Sequence, residues 1–162
     1  MEENYGRSLF LFRRDLRVHD NSGLIKASST SETVISAFIF DPRLASQNPY
    51  FSHNAFQFMV ESLCDLSRQV AAERGFLSVF RGRPEAIVER LIAEKDVETV
   101  FVNRDYTPFS RARDTAKVCD ERHTSFHYCS DLLLHEPGDV LKDEQAIHNF
   151  FSFLKKSAFN SY

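Results

Sequence analysis

The sequence has no tryptophan, only 5 glycines and 5 prolines, and 3 cysteines (Cys64, Cys119, Cys129) with no C-x-x-C pair among them. Each shortage excludes something. No glycine-rich linker divides the chain, and no GxGxxG or GxxxxGK[ST] follows an apolar run, which disfavours a standard dinucleotide site or a P-loop. An odd number of unclustered cysteines fits a reducing compartment. A basic excess is also missing: the formal net charge is −3. A free-standing nucleic-acid binder draws most of its affinity from neutralising phosphates, so any DNA-handling surface is expected elsewhere. No apolar run is long enough to span a bilayer, and Met1-Glu2-Glu3-Asn4 has neither the basic nor the apolar region of a signal peptide. A cytoplasmic location is expected, or a nuclear one in a eukaryote, with no membrane partner.

What is present is ordinary for one folded domain: 162 residues, 43% hydrophobic and 27% charged, enough for a single core. Phenylalanine is abundant, with 16 copies, and reads first as core filling. Apolar runs alternate with helical patterns. Ser8–Phe12, Thr33–Phe40, Phe76–Phe80, Glu98–Val102 and Ser125–Cys129 read as strands, the second nearly continuous as in a sheet covered on both faces. Ser52 can cap a helix carrying Phe56, Met59, Leu63, Leu66 and Val70, with Gly75 just past its end. Pro84 opens another with Ile87, Val88, Leu91 and Ile92, and Arg111–Glu121, capped by Ser110, forms a third. The expected fold is α/β, a Rossmann-like three-layer sandwich around a five-stranded, mostly parallel sheet. Beyond about residue 130 the pattern weakens to a short apolar turn at Leu132–Leu134, a loop at Glu136–Asp139 and a helical start at Phe150–Lys156.

Open parallel sheets bind ligands beyond the carboxyl ends of their strands, where the strand order reverses, here expected between the first and fourth strands. The polar clusters agree. Strand one runs into Arg13-Arg14-Asp15-Leu16-Arg17, strand two into Asp41-Pro42-Arg43, strand three into Arg81-Gly82-Arg83 and strand four into Asn103-Arg104-Asp105-Tyr106. Arginine offers forked donors and a planar stacking surface, suited to an anionic ring-containing ligand. The alternative is a set of solvated loop charges pairing with one another.

The stretch Phe10–Asn21 (FLFRRDLRVHDN) closely resembles the opening of the photolyase/cryptochrome family. Phe40–Arg43, Gly82–Pro84, Val102–Asp114 (VNRDYTPFSRARD) and Leu133–Leu141 resemble further family segments in the same order. The resemblance implies an N-terminal antenna-binding domain over residues 1–142 and the start of an interdomain linker over 143–162. It implies light harvesting for a deoxyribodipyrimidine photolyase that repairs pyrimidine dimers, through a helical FAD-binding domain of the same protein that these residues do not include. The FAD would sit only in that domain, and damaged DNA would be met only by the full-length protein. That protein would be a lyase; this segment alone would not be an enzyme, and no catalytic residue is assigned. The absence of tryptophan leaves no tryptophan chain here for flavin photoreduction.

The resemblance also places the antenna. In deazaflavin-type relatives the positions of Arg14 and Asp105 approach the pigment; Asp15, Phe40, Asp41, Arg43 and Tyr106 complete the expected cofactor-binding set. Folate-type relatives carry an Asn-Glu pair where this chain has Phe109-Ser110, so a deazaflavin or flavin is favoured over methenyltetrahydrofolate. Glu144–Phe153 departs from the family's Pro-Tyr pattern before the linker, although Phe150, Phe153 and Lys155-Lys156 agree with it. A cryptochrome-type photoreceptor module and a stand-alone nucleotide-binding domain are the alternative functions. Tyr162 is read as the end of one domain cut from a longer protein.

Three other features have a plain reading. Cys119-x3-His123-x3-His127-x-Cys129 contains only metal-ligand residue types, but it divides between a helix stripe and a strand, which favours buried thiols and edge-strand polar groups. His19 is expected at the surface or at helix entry, and Phe38 with Phe40 in core packing.

Overall fold

The computed structural model describes residues 4–43, 51–105, 115–131, 141–142 and 145–146. In chain order these form β1 (Tyr5–Phe12), α1 (Ser22–Thr30), β2 (Ser31–Phe40), α2 (His53–Ala72), β3 (Leu77–Arg81), α3 (Pro84–Lys95), β4 (Thr99–Asn103), α4 (Ala116–Glu121) and β5 (Ser125–Cys129). Two short strands, β6 (Leu141–Lys142) and β7 (Gln145–Ala146), pair antiparallel across the expected domain boundary. The main sheet has the order β3-β2-β1-β4-β5, and every pairing in it is parallel. The expected five-stranded α/β sandwich is therefore the fold.

Period-two alternation sends successive side chains to opposite faces, and the two faces differ in composition. Leu9, Leu11, Ile39, Val100 and Val102 lie on one face, beneath Val88 and Leu91 of α3 and Cys119 of α4. Phe10, Phe12, Phe38 and Phe101 lie on the other, beneath Ala27 of α1 and Leu66 and Val70 of α2. One layer is thus aliphatic and the other largely phenyl. Phe10 and Phe12 meet edge to face at 4.8 Å, a geometry the ring quadrupole favours. Each buried phenyl contributes about 1.5–3 kcal/mol. That accounts for part of the phenylalanine excess as core filling.

The helix ends follow local chemistry. Ser52 caps α2, its hydroxyl accepting from the Ala55 amide at 3.3 Å. Ser52→Ala should therefore cost about 1 kcal/mol, read as a lower denaturation midpoint with an unchanged urea m-value. At the other end Arg74, rather than Gly75, takes the left-handed conformation, with φ 61°. Gly75 serves a close approach instead: its amide donates to the Val70 carbonyl at 2.9 Å, and a Cβ there would lie 2.9 Å from Val70 Cγ1.

Strand bounds shift from the expected ones in instructive places. β1 begins at Tyr5 and β2 at Ser31, because pairing with a neighbour extends a strand into polar sequence. β3 begins one residue later than expected, leaving Phe76 outside the strand and 80% exposed. The helix expected over Arg111–Glu121 is described from Ala116; residues 110–114 lie outside the described residues, as do 109, 132–140 and 150–156.

Candidate functional site

β1 leads into α1 on the phenyl face, whereas β4 leads into α4 on the aliphatic face. The helices that follow the adjacent strands β1 and β4 therefore lie on opposite faces of the sheet. The carboxyl edge between these strands is thus the topological switch point, where open α/β folds usually form a ligand crevice.

A buried polar knot sets the floor of this crevice. Asp15 is 4% exposed, Asn21 0% and Asn103 2%. The Asp15 carboxylate accepts from the Arg13 amide at 3.1 Å, from Asn103 Nδ2 at 2.5 Å and from Asn21 Nδ2 at 3.2 Å. Asn103 Nδ2 also donates to Asn21 Oδ1 at 2.9 Å, and Asn21 Nδ2 to the Arg17 carbonyl at 3.0 Å. Polar groups this deep are tolerated because each finds a partner. The knot ties the loop after β1 to the last residue of β4, so Asp15 shapes the loop from below.

Arg14 points the other way. Its guanidinium is 66% exposed and lies 3.9 Å from the Asp105 carboxylate, whose side chain is 6% exposed. The structure thus brings together the two residues that the strand-end pattern and the family resemblance single out. An exposed cation beside a largely buried carboxylate places hydrogen-bond donors and an acceptor together at the switch-point edge.

The β2 end is organised separately. Asp41 is fully buried. Arg43 grips it through Nε at 2.9 Å and 3.0 Å and through a terminal nitrogen at 2.5 Å, and reaches Glu85 of α3 at 3.6 Å. The hydrogen bond to Asp41, reinforced by the nearby carboxylate charges, holds the Arg43 guanidinium above its usual pKa despite some desolvation. Phe40, half-buried, meets Phe56 of α2 edge to face at 5.6 Å. Tyr106 lies outside the described residues. Phe38 is buried in the phenyl core, and His19 is exposed in the loop before α1.

The histidine-cysteine run is dispersed by the fold. Cys119 belongs to the aliphatic face and Cys129 to the phenyl face, on opposite sides of the sheet. Burial pushes the Cys129 thiol above its usual pKa, an effect Asp131 adds to and Lys26 opposes. His127 stacks on Phe101 at 4.8 Å and shares a hydrogen bond of 3.1 Å with the Tyr5 hydroxyl. Among the described residues no group of three or more His, Cys, Asp or Glu is arranged to hold a metal.

Two residues were not singled out from sequence. Asn21 caps α1, accepting from the Leu24 amide at 3.1 Å; an Asn directly before a helical start is a standard signal. Asp131 accepts from Arg17 at 2.7 Å and from the Ser22 amide at 2.9 Å. It lies just past β5, so extending the strand-end rule to the fifth strand would have found it.

The fold and crevice define an open α/β domain with a ligand edge at a topological switch point. The chain belongs to the DNA photolyase family, whose pattern it matches over residues 8–160. It is 36% identical over 121 residues to the (6-4)DNA photolyase of Arabidopsis thaliana, covering 70% of this chain and 22% of that protein. It is 34% identical over 122 residues to Cryptochrome-1 of Anopheles gambiae, covering 69% of this chain and 22% of that protein. Among solved structures, the archaeal photolyase from Sulfolobus tokodaii, described with two FAD molecules and the implication of a novel light-harvesting cofactor, superposes with a TM-score of 0.84. That match is 39% identical and covers 94% of this chain and 35% of the photolyase. A class III photolyase from Agrobacterium tumefaciens superposes with a TM-score of 0.83 at 27% identity, over 96% of this chain and 32% of that one. The chain thus spans about a fifth to a third of these relatives' length. No helix among the described residues is long and apolar enough to cross a membrane.

Proposed function

We propose that this chain is the antenna domain of a photolyase and that it holds a flavin or deazaflavin over the β1–β4 crevice. The supporting observation is the Arg14–Asp105 pair at 3.9 Å, at the switch point of a chain 39% identical to a photolyase described with two FAD molecules and the implication of a novel light-harvesting cofactor. Asp105 would accept from a ring N–H or hydroxyl, and Arg14 would pair with or stack on the anionic part. Tyr106 follows Asp105 directly. Phe40, Asp41 and Arg43 would bound the β2 side, while Asp15 would hold the loop. Passing excitation onward makes and breaks no bond, so the domain's task is to fix a pigment's position and orientation. Residues 1–142 would form this domain and 143–162 would lead to a helical FAD domain, where a flipped-out pyrimidine dimer is split.

Titration with FAD, 8-hydroxy-5-deazaflavin, methenyltetrahydrofolate and ATP, followed by absorbance and fluorescence, tests the reading. A flavin or deazaflavin should bind saturably, with the folate weakest. Arg14→Ala should weaken that binding about tenfold, the equivalent of one charge-assisted contact. Tight ATP binding with no pigment bound would point to a nucleotide-binding module instead. The 34% identity to Cryptochrome-1 supports a photoreceptor module as the second reading. Light-dependent repair of dimer-containing DNA by the full-length protein separates the two, since its absence would defeat the photolyase assignment.

A further inference from the structure

The first turn of a helix presents unsatisfied N–H groups and the positive end of its dipole, a ready seat for phosphate. In dinucleotide-binding α/β folds that seat is the start of the helix after the first strand. Here all three N–H groups of the α1 first turn are taken by the protein's own side chains. The Ser22 amide donates to Asp131 at 2.9 Å, the Gly23 amide to Asn103 Oδ1 at 3.0 Å and the Leu24 amide to Asn21 Oδ1 at 3.1 Å. Asp131 is an anion at the anion seat. Its side chain is 2% exposed and its charge is met by Arg17 at 2.7 Å. An incoming phosphate would have to displace a buried, paired carboxylate and two asparagine oxygens whose side chains both belong to the Asp15 knot.

We propose that Asp131 is a specificity-determining residue: its carboxylate occupies the phosphate seat of α1 and, with Asn21 and Asn103, closes it to nucleotide phosphates. The chain therefore selects against dinucleotides bound across α1. Any chromophore that carries phosphates is held with them directed away from α1, and recognition falls to its ring system and to exposed cations such as Arg14. Two features of the same loop act in the same direction. The connection from β1 to α1 contains no glycine between Arg13 and Asn21, so backbone cannot approach a pyrophosphate closely. Asp15 is buried beneath that connection.

Removing the carboxylate should recreate the seat, because Asp131→Ala leaves the Ser22 amide open beside the Arg17 guanidinium. Amide-resolved NMR titration with inorganic phosphate at constant ionic strength reads this directly. In the unaltered chain the Ser22 and Gly23 resonances should stay in place. In Asp131→Ala they should shift saturably, with a Kd in the millimolar range, roughly what one cation and a helix end hold. Asp131→Asn keeps the side-chain volume and should show the same shift more weakly. A saturable Ser22 shift in the unaltered chain would overturn the proposal. So would a folded Asp131→Ala that ignores phosphate or, if that variant does not fold, an Asp131→Asn indistinguishable from the unaltered chain. Phosphate is the only probe, so a failure here leaves the antenna reading standing. Failure to bind any pigment likewise leaves the closed seat intact.

Discussion

Asn103→Leu is expected to lower the unfolding free energy by about 3–5 kcal/mol, the range for breaking a buried polar network from one side. The substitution keeps the side chain's approximate volume and removes all its hydrogen bonds. The Asp15 carboxylate loses its 2.5 Å donor, Asn21 Oδ1 loses a donor at 2.9 Å, and the Gly23 amide is left facing hydrocarbon. All four residues are buried, so water cannot readily replace what is lost. Urea denaturation followed by circular dichroism measures the effect. A loss below about 1 kcal/mol would mean that the knot is wet or relaxes freely, and the buried network would no longer explain the shape of the loop after β1. Asn103→Asp adds a second test. It keeps the volume and the acceptor to Gly23 but replaces the donor to Asp15 with a second carboxylate oxygen, so it too should destabilise the fold.

The legible parts of this protein are those in which one residue type has one use. Apolar runs mark β1, β2 and β4 because a strand covered on both faces favours apolar residues along most of its length. Arg14 and Asp105 are legible as strand-end polar residues next to the switch point, supported by the family resemblance. The environment of adjacent residues is not legible in the same way. Arg14 is exposed while Asp15, one position on, is 4% exposed and saturated with donors. Both look alike as charged loop residues, and only the path of the chain separates a residue offered to a ligand from one that holds the loop. The bounds of α1 were obscure for a related reason: its buried residues are Gly23 and Ala27, too small to make an apolar stripe. A helix that sits this close to the sheet conceals itself in the sequence. The position of Asp131 just past β5 is legible, but its role is not, because its partners Arg17 and Ser22 lie 114 and 109 residues away.

That closeness leads to the second large effect. Gly23→Ala should cost about 2–3 kcal/mol, although alanine is the better helix former by about 1 kcal/mol. Gly23 is needed for approach: its φ is not in the left-handed region, but a Cβ would lie 2.3 Å from Asn103 Oδ1 and 2.8 Å from Phe10 Cε2. Neither neighbour can yield cheaply. Asn103 is held by Asp15 and Asn21, and Phe10 is fully buried within the phenyl layer. The added methyl must therefore lift α1 from the sheet or break the Gly23–Asn103 hydrogen bond. The two routes differ in a double-mutant cycle. If the clash with Asn103 dominates, Gly23→Ala in an Asn103→Ala background should cost at least about 1 kcal/mol less than in the unaltered chain. If the methyl instead pushes on Phe10, the two costs will simply add, and Asn103 would not be the residue that requires glycine at this position. The first outcome is expected, because 2.3 Å is the tighter contact and the displaced oxygen is also the one that accepts from the Gly23 amide.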